Sequence, residues 1–279
     1  MNGLEFTAVV LVGSILGGFV GSLVGLGGGF VVTPLLTLVF GVDIRYAIGA
    51  SLISVIATSS GAAAAYVKEG FTNLRVGMLL EVATTTGALV GATLVTILPA
   101  HAIAVLFGLV LIQAAWVTSR QHADKDTSGD PPDPLATRLR LDSTYPTAEG
   151  LRAYKVRRVP LGFGIMWVAG VISGLLGIGA GAVKVLAMDQ AMYIPFKVST
   201  ATSNFMIGVT AAASAGIYFR AGYVKPELVM PVMLGVTIGA LVGARLLFAA
   251  RTARLRLLFA IVVGLVGLEM IYHGLAAGR

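Results

Sequence analysis

Long apolar runs, separated by short polar gaps, set the rhythm of this chain. They cover 5–26, 46–66, 75–98 and 102–118, and then 159–177, 197–219, 227–248 and 256–273. Runs of about 20 apolar residues predict membrane-spanning helices. Two shorter apolar pieces, 30–41 and 182–193, each follow a glycine-rich interruption. At about 1.5 Å per residue each covers only some 18 Å, against a hydrocarbon core of about 30 Å. These pieces are expected to be half-helices, re-entrant or strongly tilted, with their irregular ends buried in protein or lining a cavity.

The interruptions read V-G-L-G-G-G-F-V-V-T-P-L-L-T over 24–37 and L-G-I-G-A-G-A-V-K-V-L over 176–186. Glycine triplets and proline weaken a helix, so helix stability is not what these stretches serve. Two broken apolar helices at matching positions point to a transport site. The match is numerical. G-A-L-V-G-A occurs at 87–92 and again at 239–244, an offset of 152 positions. The same offset pairs Gly25, Gly27 and Gly29 with Gly177, Gly179 and Gly181, and pairs Ser51, Thr58, Tyr66 and Gly70 with Ser203, Thr210, Tyr218 and Gly222. The expected fold is therefore an all-α integral membrane protein with two homologous repeats, 1–118 and 159–279. Each repeat has about five segments, four spans plus a short broken helix, and a pseudo-two-fold axis relates them. The stretch 119–158 has no apolar periodicity and contains D-T-S-G-D-P-P-D-P, so it is expected to be a solvent-exposed linker with local structure over 139–156.

Small residues recur every fourth position, as Gly13, Gly17, Gly21, Gly25 and Gly29, as Ala169, Ser173, Gly177 and Gly181, and as Ala83-Gly87-Gly91 matched by Gly235-Gly239-Gly243. This spacing lets helix backbones approach closely in lipid, and packing is the expected role of most of these glycines.

Composition agrees with the pattern. Of 279 residues 57% are hydrophobic and 12% charged, and the mean hydropathy is +0.90, well outside the soluble average. The absence of cysteine excludes disulfide and thiolate chemistry. The formal charge of +7 lies mostly between apolar segments, where it reads as a topology signal, and no nucleic-acid partner is expected. No Lys or Arg precedes the first apolar run, so a cleaved signal peptide is not expected.

Charge bias also bears on repeat geometry. With five crossings per half the repeats are inverted, and loops 67–74, 119–158 and 249–256 share one side. That side collects Lys68, the basic residues of the linker, and Arg251, Arg254 and Arg256, which makes it cytoplasmic, with both termini outside. With four crossings and re-entrant short pieces the repeats are parallel, and the last arginine cluster lies opposite the linker. The positive-inside rule favours the inverted arrangement.

Chemistry concentrates at the breaks. Each one ends at the N-terminus of a short helix, near Phe30 and Ala182, where free N–H groups and a partial positive charge suit an anion. Gly27, Gly28, Gly29 and Gly179, Ala180, Gly181 give the ligand close access to backbone, and Ser51, Thr202, Ser203 and Asn204 offer hydrogen bonds to an oxyanion. Lys184 has Val32 as its repeat mate, and an ammonium at that depth costs about 2.5–3.5 kcal/mol on insertion scales. It reads either as a counter-charge for the anion or as half of an ion pair with Asp189 or a snorkelling lysine. Glu81 is a coupling candidate that also fits an interfacial position near Arg75. Asp43, Arg45 and Lys197 read as capping or pairing groups.

The motifs G-L-G-G-G-F-V-V-T-P-L-L and A-I-G-A-S-L, with G-I-G-A-G-A-V-K-V-L and V-S-T-A-T-S-N in the second half, resemble the paired motifs of the TauE/SafE family, the sulfite exporter or TSUP family. The resemblance spans nearly the whole chain. It implies a multi-pass permease of the cell (inner) membrane for a small sulfur-containing anion such as sulfite, a sulfonate or sulfoacetate, by alternating access. A proton or sodium ion is then the candidate coupling ion and a homodimer the candidate assembly. Ala50, Ala180 and Leu186 depart from the pattern, at places where the family often has threonine, glycine and proline. An uncoupled anion channel and a non-transporting membrane scaffold are the alternatives.

No enzymatic activity, metal or cofactor is expected. His101, His122 and His273 lack metal-ligand spacing, and no H-E-x-x-H, nucleophile elbow or P-loop is present. Single cysteines introduced at Gly129 and Thr252 and labelled in intact cells should show the same accessibility. Opposite accessibility would rule out the inverted arrangement.

Overall fold

The computed structural model describes residues 3–24, 29–68, 70–119, 133–147, 150–247 and 252–278. Among the described residues the fold is all-α apart from one hairpin. Helices α1 (Gly3–Val24), α2 (Gly29–Pro34), α3 (Ile44–Lys68), α4 (Leu74–Ile97) and α5 (Ala100–Ser119) precede a short α6 (Pro134–Arg138) and strands β1 (Ser143–Thr147) and β2 (Gly150–Tyr154). Then come α7 (Val159–Leu176), α8 (Gly181–Leu186), α9 (Phe196–Arg220), α10 (Pro226–Leu247) and α11 (Thr252–Ala277). By length and composition α4, α7 and the Ala260–Ala277 part of α11 are long and apolar enough to cross a membrane. Large apolar side chains such as Met78, Ile97, Trp167 and Leu265 stand exposed along these helices, a surface suited to lipid rather than water.

The 152-position offset reappears in the backbone. Helices α2, α3 and α4 start at Gly29, Ile44 and Leu74, and α8, α9 and α10 start at Gly181, Phe196 and Pro226. Both short helices run on into a π-helical turn, Leu35–Val39 and Ala187–Ala191. Pro34 precedes the first turn but Leu186 precedes the second, so proline is not what produces it. Gly70 and Gly222 share a φ of +76°, and Gly41 (φ +63°) is matched by Tyr193 (φ +59°).

Packing pairs α1 with α10, α4 with α7, α3 with α9 and α5 with α11. The neighbours of the glycines give the directions. Gly49 faces the Tyr223 carbonyl while Gly208 faces Ser59, so α3 and α9 are antiparallel. Gly274 faces His101 and Gly264 faces Ala115, so α5 and α11 are antiparallel too. By contrast α4 and α7 run parallel. A methyl group on Gly87, Gly91, Gly170 or Gly174 would collide with the carbonyl oxygen of Trp167, Val171, Thr84 or Ala88 respectively. The α1–α10 seam is built the same way, with Gly18 against Val236 and Gly239 against Ile15. These seams differ from the expected stripes by one residue on α1 and α7. Gly13 and Gly17 instead meet the side chains of Leu35 and Val31, and Ser173 lies beside the seam.

The described part of the linker, 133–147 and 150–158, is folded rather than free. Asp133 caps α6 through the N–H groups of Leu135 and Ala136, and β1 pairs antiparallel with β2. Ala136, Leu141, Tyr145, Tyr154 and Val156 are buried against Val76, Leu80, Met188 and Met192. Asn73 holds this arrangement: its Nδ2 donates to Leu141 O and Tyr154 Oη, each at 2.8 Å, and its Oδ1 caps α4 at Val76 N. At the opposite end of α4, Arg45 Nη2 donates to Leu98 O at 2.7 Å, and its guanidinium lies 5.9 Å from the Tyr223 ring centre. Arg45 thus satisfies carbonyls that the helix end leaves free.

Gly91→Ala is expected to lower the thermal stability of the purified protein by about 1–3 kcal/mol, because the methyl meets backbone that cannot yield. Gly164→Ala, with no neighbour within 4 Å, is expected to leave it unchanged or slightly raised. Equal melting temperatures would contradict the close seam.

Candidate functional site

The second break joins α7 to α8. Helix α7 ends at Gly177 (φ +64°), whose N–H donates to Ser173 O at 2.8 Å, and the chain then passes through Gly179 (φ +72°) and Ala180 (φ +44°) into α8. Ala180 is fully buried in a left-handed conformation that costs an L-residue about 1–2 kcal/mol. The position equivalent to it is Gly28, which has no such cost; Gly27 and Gly28 lie outside the described residues.

The two breaks meet. Ser51 Oγ, on α3, donates to Gly177 O at 3.1 Å. A methyl group on Gly29 would lie 2.7 Å from Ser51 Oγ and 3.2 Å from Gly177 O, so only glycine leaves both in place. Phe30, Ile48, Leu52, Val55, Ile178, Ala182 and Ile207 form one buried cluster around this junction. Ser203 Oγ donates to Gly181 O at 3.3 Å, and Ile207 packs against Gly179 and Gly181. Asn204 is buried, and its Nδ2 donates to Thr200 O in its own helix at 3.1 Å.

Thr202 faces elsewhere. Its Oγ1 accepts the Asn73 N–H at 3.0 Å, and its methyl lies toward Gly77 of α4, which sets it on the α4 and linker side of α9. The short helices have only six residues each before their π turns, so their ends supply a few N–H groups rather than the dipole of a full helix.

Lys184 lies one turn beyond Gly181 and is wholly buried. Its Nζ donates to Thr210 Oγ1 at 2.6 Å, and Thr210 Oγ1 lies 2.7 Å from Glu81 Oε1 on α4 and 2.9 Å from Met206 O. Thr85 Oγ1 also donates to Glu81 Oε1, at 3.0 Å, while the buried Glu81 Oε2 has no hydrogen-bond partner. A threonine hydroxyl has one proton and two lone pairs. Thr210 therefore accepts from the ammonium and can donate onward to the carboxylate, joining the two charges without direct contact.

Sequence reading singled out Lys184 and Glu81 separately and saw Thr210 only as the repeat mate of Thr58. Its one usable signal was the presence of a cation and an anion within apolar segments, Lys184 with Asp189 nearby and Glu81 with Arg75 nearby. Tyr218 was likewise seen only as a repeat mate; its hydroxyl reaches Gly174 O at 3.0 Å and Leu175 O at 2.9 Å, and ties α9 to the last turn before the break.

The sequence profile of the family described as Sulfite exporter TauE/SafE matches residues 9–270. Among curated proteins, the chain is 27% identical over 279 residues to the probable membrane transporter protein YunE of Bacillus subtilis (strain 168), covering 98% of this chain and 99% of that one. It is 29% identical over 239 residues to the probable membrane transporter protein YdhB of the same organism, covering 85% and 88%. It is 24% identical over 278 residues to the probable membrane transporter protein MJ0441 of Methanocaldococcus jannaschii, covering 94% of each. No solved structure matches the chain.

Proposed function

The chain belongs to the sulfite exporter TauE/SafE family, and on that premise we propose that it is a secondary transporter of a small sulfur-containing anion, such as sulfite, a sulfonate or sulfoacetate, in the cell (inner) membrane. The observation that carries this reading is Lys184, an ammonium with no exposure to water, one turn past a glycine break whose Gly177 carbonyl lies beside Gly29 at the start of α2. A cation in that position needs a negative partner, and an anion crossing the membrane needs a positive one. In this reading Phe30, Ala182, Ser51, Ser203 and Asn204 contribute to the anion site, and backbone N–H groups of the second break reach the oxyanion. Thr202 supports this region only through Asn73.

The two halves are inverted repeats in this reading. Its support is that the equivalent helices α3 and α9 run antiparallel, as do α5 and α11, while the α1–α10 and α4–α7 pairs exchange under the 152-position offset. Parallel repeats would make equivalent helices run the same way. Alternating access then follows from one part rocking against the other around the junction of the breaks.

Vesicles containing the purified protein and loaded with unlabelled sulfoacetate should transiently accumulate labelled sulfoacetate above its outside concentration. A channel only equilibrates the label and a scaffold moves none. Lys184→Met, inserted normally, should lower the initial rate at least about tenfold, equivalent to about 1.4 kcal/mol. Parental rates in that variant would remove Lys184 from the mechanism, and no overshoot with sulfite, thiosulfate, sulfoacetate or taurine would remove the transporter reading.

A further inference from the structure

We propose that Glu81, Thr210 and Lys184 form a proton-coupling site in which the transported anion and the Glu81 carboxylate compete for the same ammonium, so that each anion binds together with one proton. The inference rests on the transporter reading above and adds its coupling ion and stoichiometry.

The geometry motivates it in three ways. First, Lys184 is already neutralised. Its positive charge meets the Glu81 carboxylate through the Thr210 hydroxyl, at 2.6 Å and 2.7 Å, so the buried group carries no net charge. An anion that arrives at Lys184 while Glu81 stays ionised leaves two negative charges around one positive charge in a region of low dielectric constant. Protonation of Glu81 removes that excess.

Second, the carboxylate has a place for the proton. Glu81 Oε1 takes both hydrogen bonds, from Thr210 and Thr85, whereas Oε2 is buried without a partner. The Glu81 carboxylate takes one proton from the aqueous phase that the site faces and becomes a neutral carboxylic acid; it releases the same proton on the other side. Thr210 can follow this change, because its single hydroxyl proton has a second acceptor in Met206 O at 2.9 Å. Turned toward Met206 O, the hydroxyl no longer links the two charges, and Lys184 is free for the anion.

Third, the site exists once. The repeat mates of Glu81 and Lys184 are Met233 and Val32, and Thr58, the mate of Thr210, bonds to Ser54 O and Val55 O in its own helix. The cluster holds one carboxylate, which sets one proton per cycle.

Other ionisable groups on the packed elements lie away from this cluster. Helix α7 has no titratable side chain. Lys197, Tyr218 and Arg220 lie toward the ends of α9, with the Tyr218 hydroxyl turned to the α7 carbonyls. On α4, Arg75 donates to Arg140 O in the linker. His101 begins α5 beside Gly274 of α11, and Asp189 sits in the π turn after α8.

The test measures protons and anions together. Vesicles with a pH-sensitive dye inside and the membrane potential clamped receive an inward gradient of a simple alkyl sulfonate such as methanesulfonate, a fully ionised monoanion that carries no proton of its own. The wild-type protein should acidify the lumen with about one proton per labelled sulfonate taken up. Glu81→Gln should bring the ratio to near zero for whatever anion still moves, Thr210→Val should lower it, and Thr210→Ser should restore it. Wild-type uptake without acidification, or a ratio of one in Glu81→Gln, would overturn the coupling site while leaving the transporter intact. A wild-type protein that exchanges no anion would overturn the transporter reading and this one with it.

Discussion

A lysine ammonium with no access to water, in a bundle whose outer surface is apolar, is the constraint on which the rest of this structure depends. Such a charge is tolerated only when an opposite charge and hydrogen bonds are brought to it. Here the opposite charge comes from the other half of the chain. Lys184 and Thr210 belong to the second half and Glu81 to the first, on α4. Glu81 reaches Thr210 because α4 packs against both α7 and α9, and α4 lies close to α7 because Gly87, Gly91, Gly170 and Gly174 put no side chains between the two backbones. The glycine seam and the charged cluster are thus one device: close packing, which in lipid must come from small residues, sets the reach of a carboxylate.

The same scaffold is built twice and charged once. The α1–α10 seam repeats the α4–α7 seam with Gly18, Gly235 and Gly239, and both short helices end in π turns. Yet the region equivalent to Lys184 carries the buried Val32, and Leu228, Val229, Val232 and Val236 pack around it. Short helices α2 and α8 recur at equivalent positions of the two halves, while the Lys184–Thr210–Glu81 cluster sits on one side. Ala180 belongs to that side as well. A left-handed alanine, in the position where the first half has Gly28, stores strain next to the charged one of the two short helices, as backbone at functional sites often does.

Much of this was legible in the sequence, and for identifiable reasons. Helix limits were readable because glycine clusters, prolines and polar gaps interrupt apolar runs, and the constant offset let each half check the other. Family membership followed from the doubled motif. The seams were read one position off on α1 and α7, since adjacent small residues such as Ser173 and Gly174 satisfy a four-residue spacing equally well and only packing decides which faces inward. The hairpin lies within 139–156, where local structure was expected, but its burial depends on Tyr145 and Tyr154 meeting helices remote in sequence. The Lys184–Thr210–Glu81 chain was the least legible. Asp189, five residues from Lys184, was the partner that sequence proximity suggested, whereas the hydroxyl between Lys184 and Glu81 becomes visible only once α4 and α9 are packed.

The central claim is that the anion takes Lys184 from Glu81 at the junction of the two breaks. Its most direct test is an experimental structure of the protein in lipid nanodiscs with sulfoacetate bound at mildly acidic pH. The account predicts an anionic group within hydrogen-bond distance of Lys184 Nζ, next to Gly181 and Ser203, with the Thr210 hydroxyl turned to Met206 O. An anion bound elsewhere in the bundle, with Lys184 still joined to Glu81 through Thr210, would contradict it.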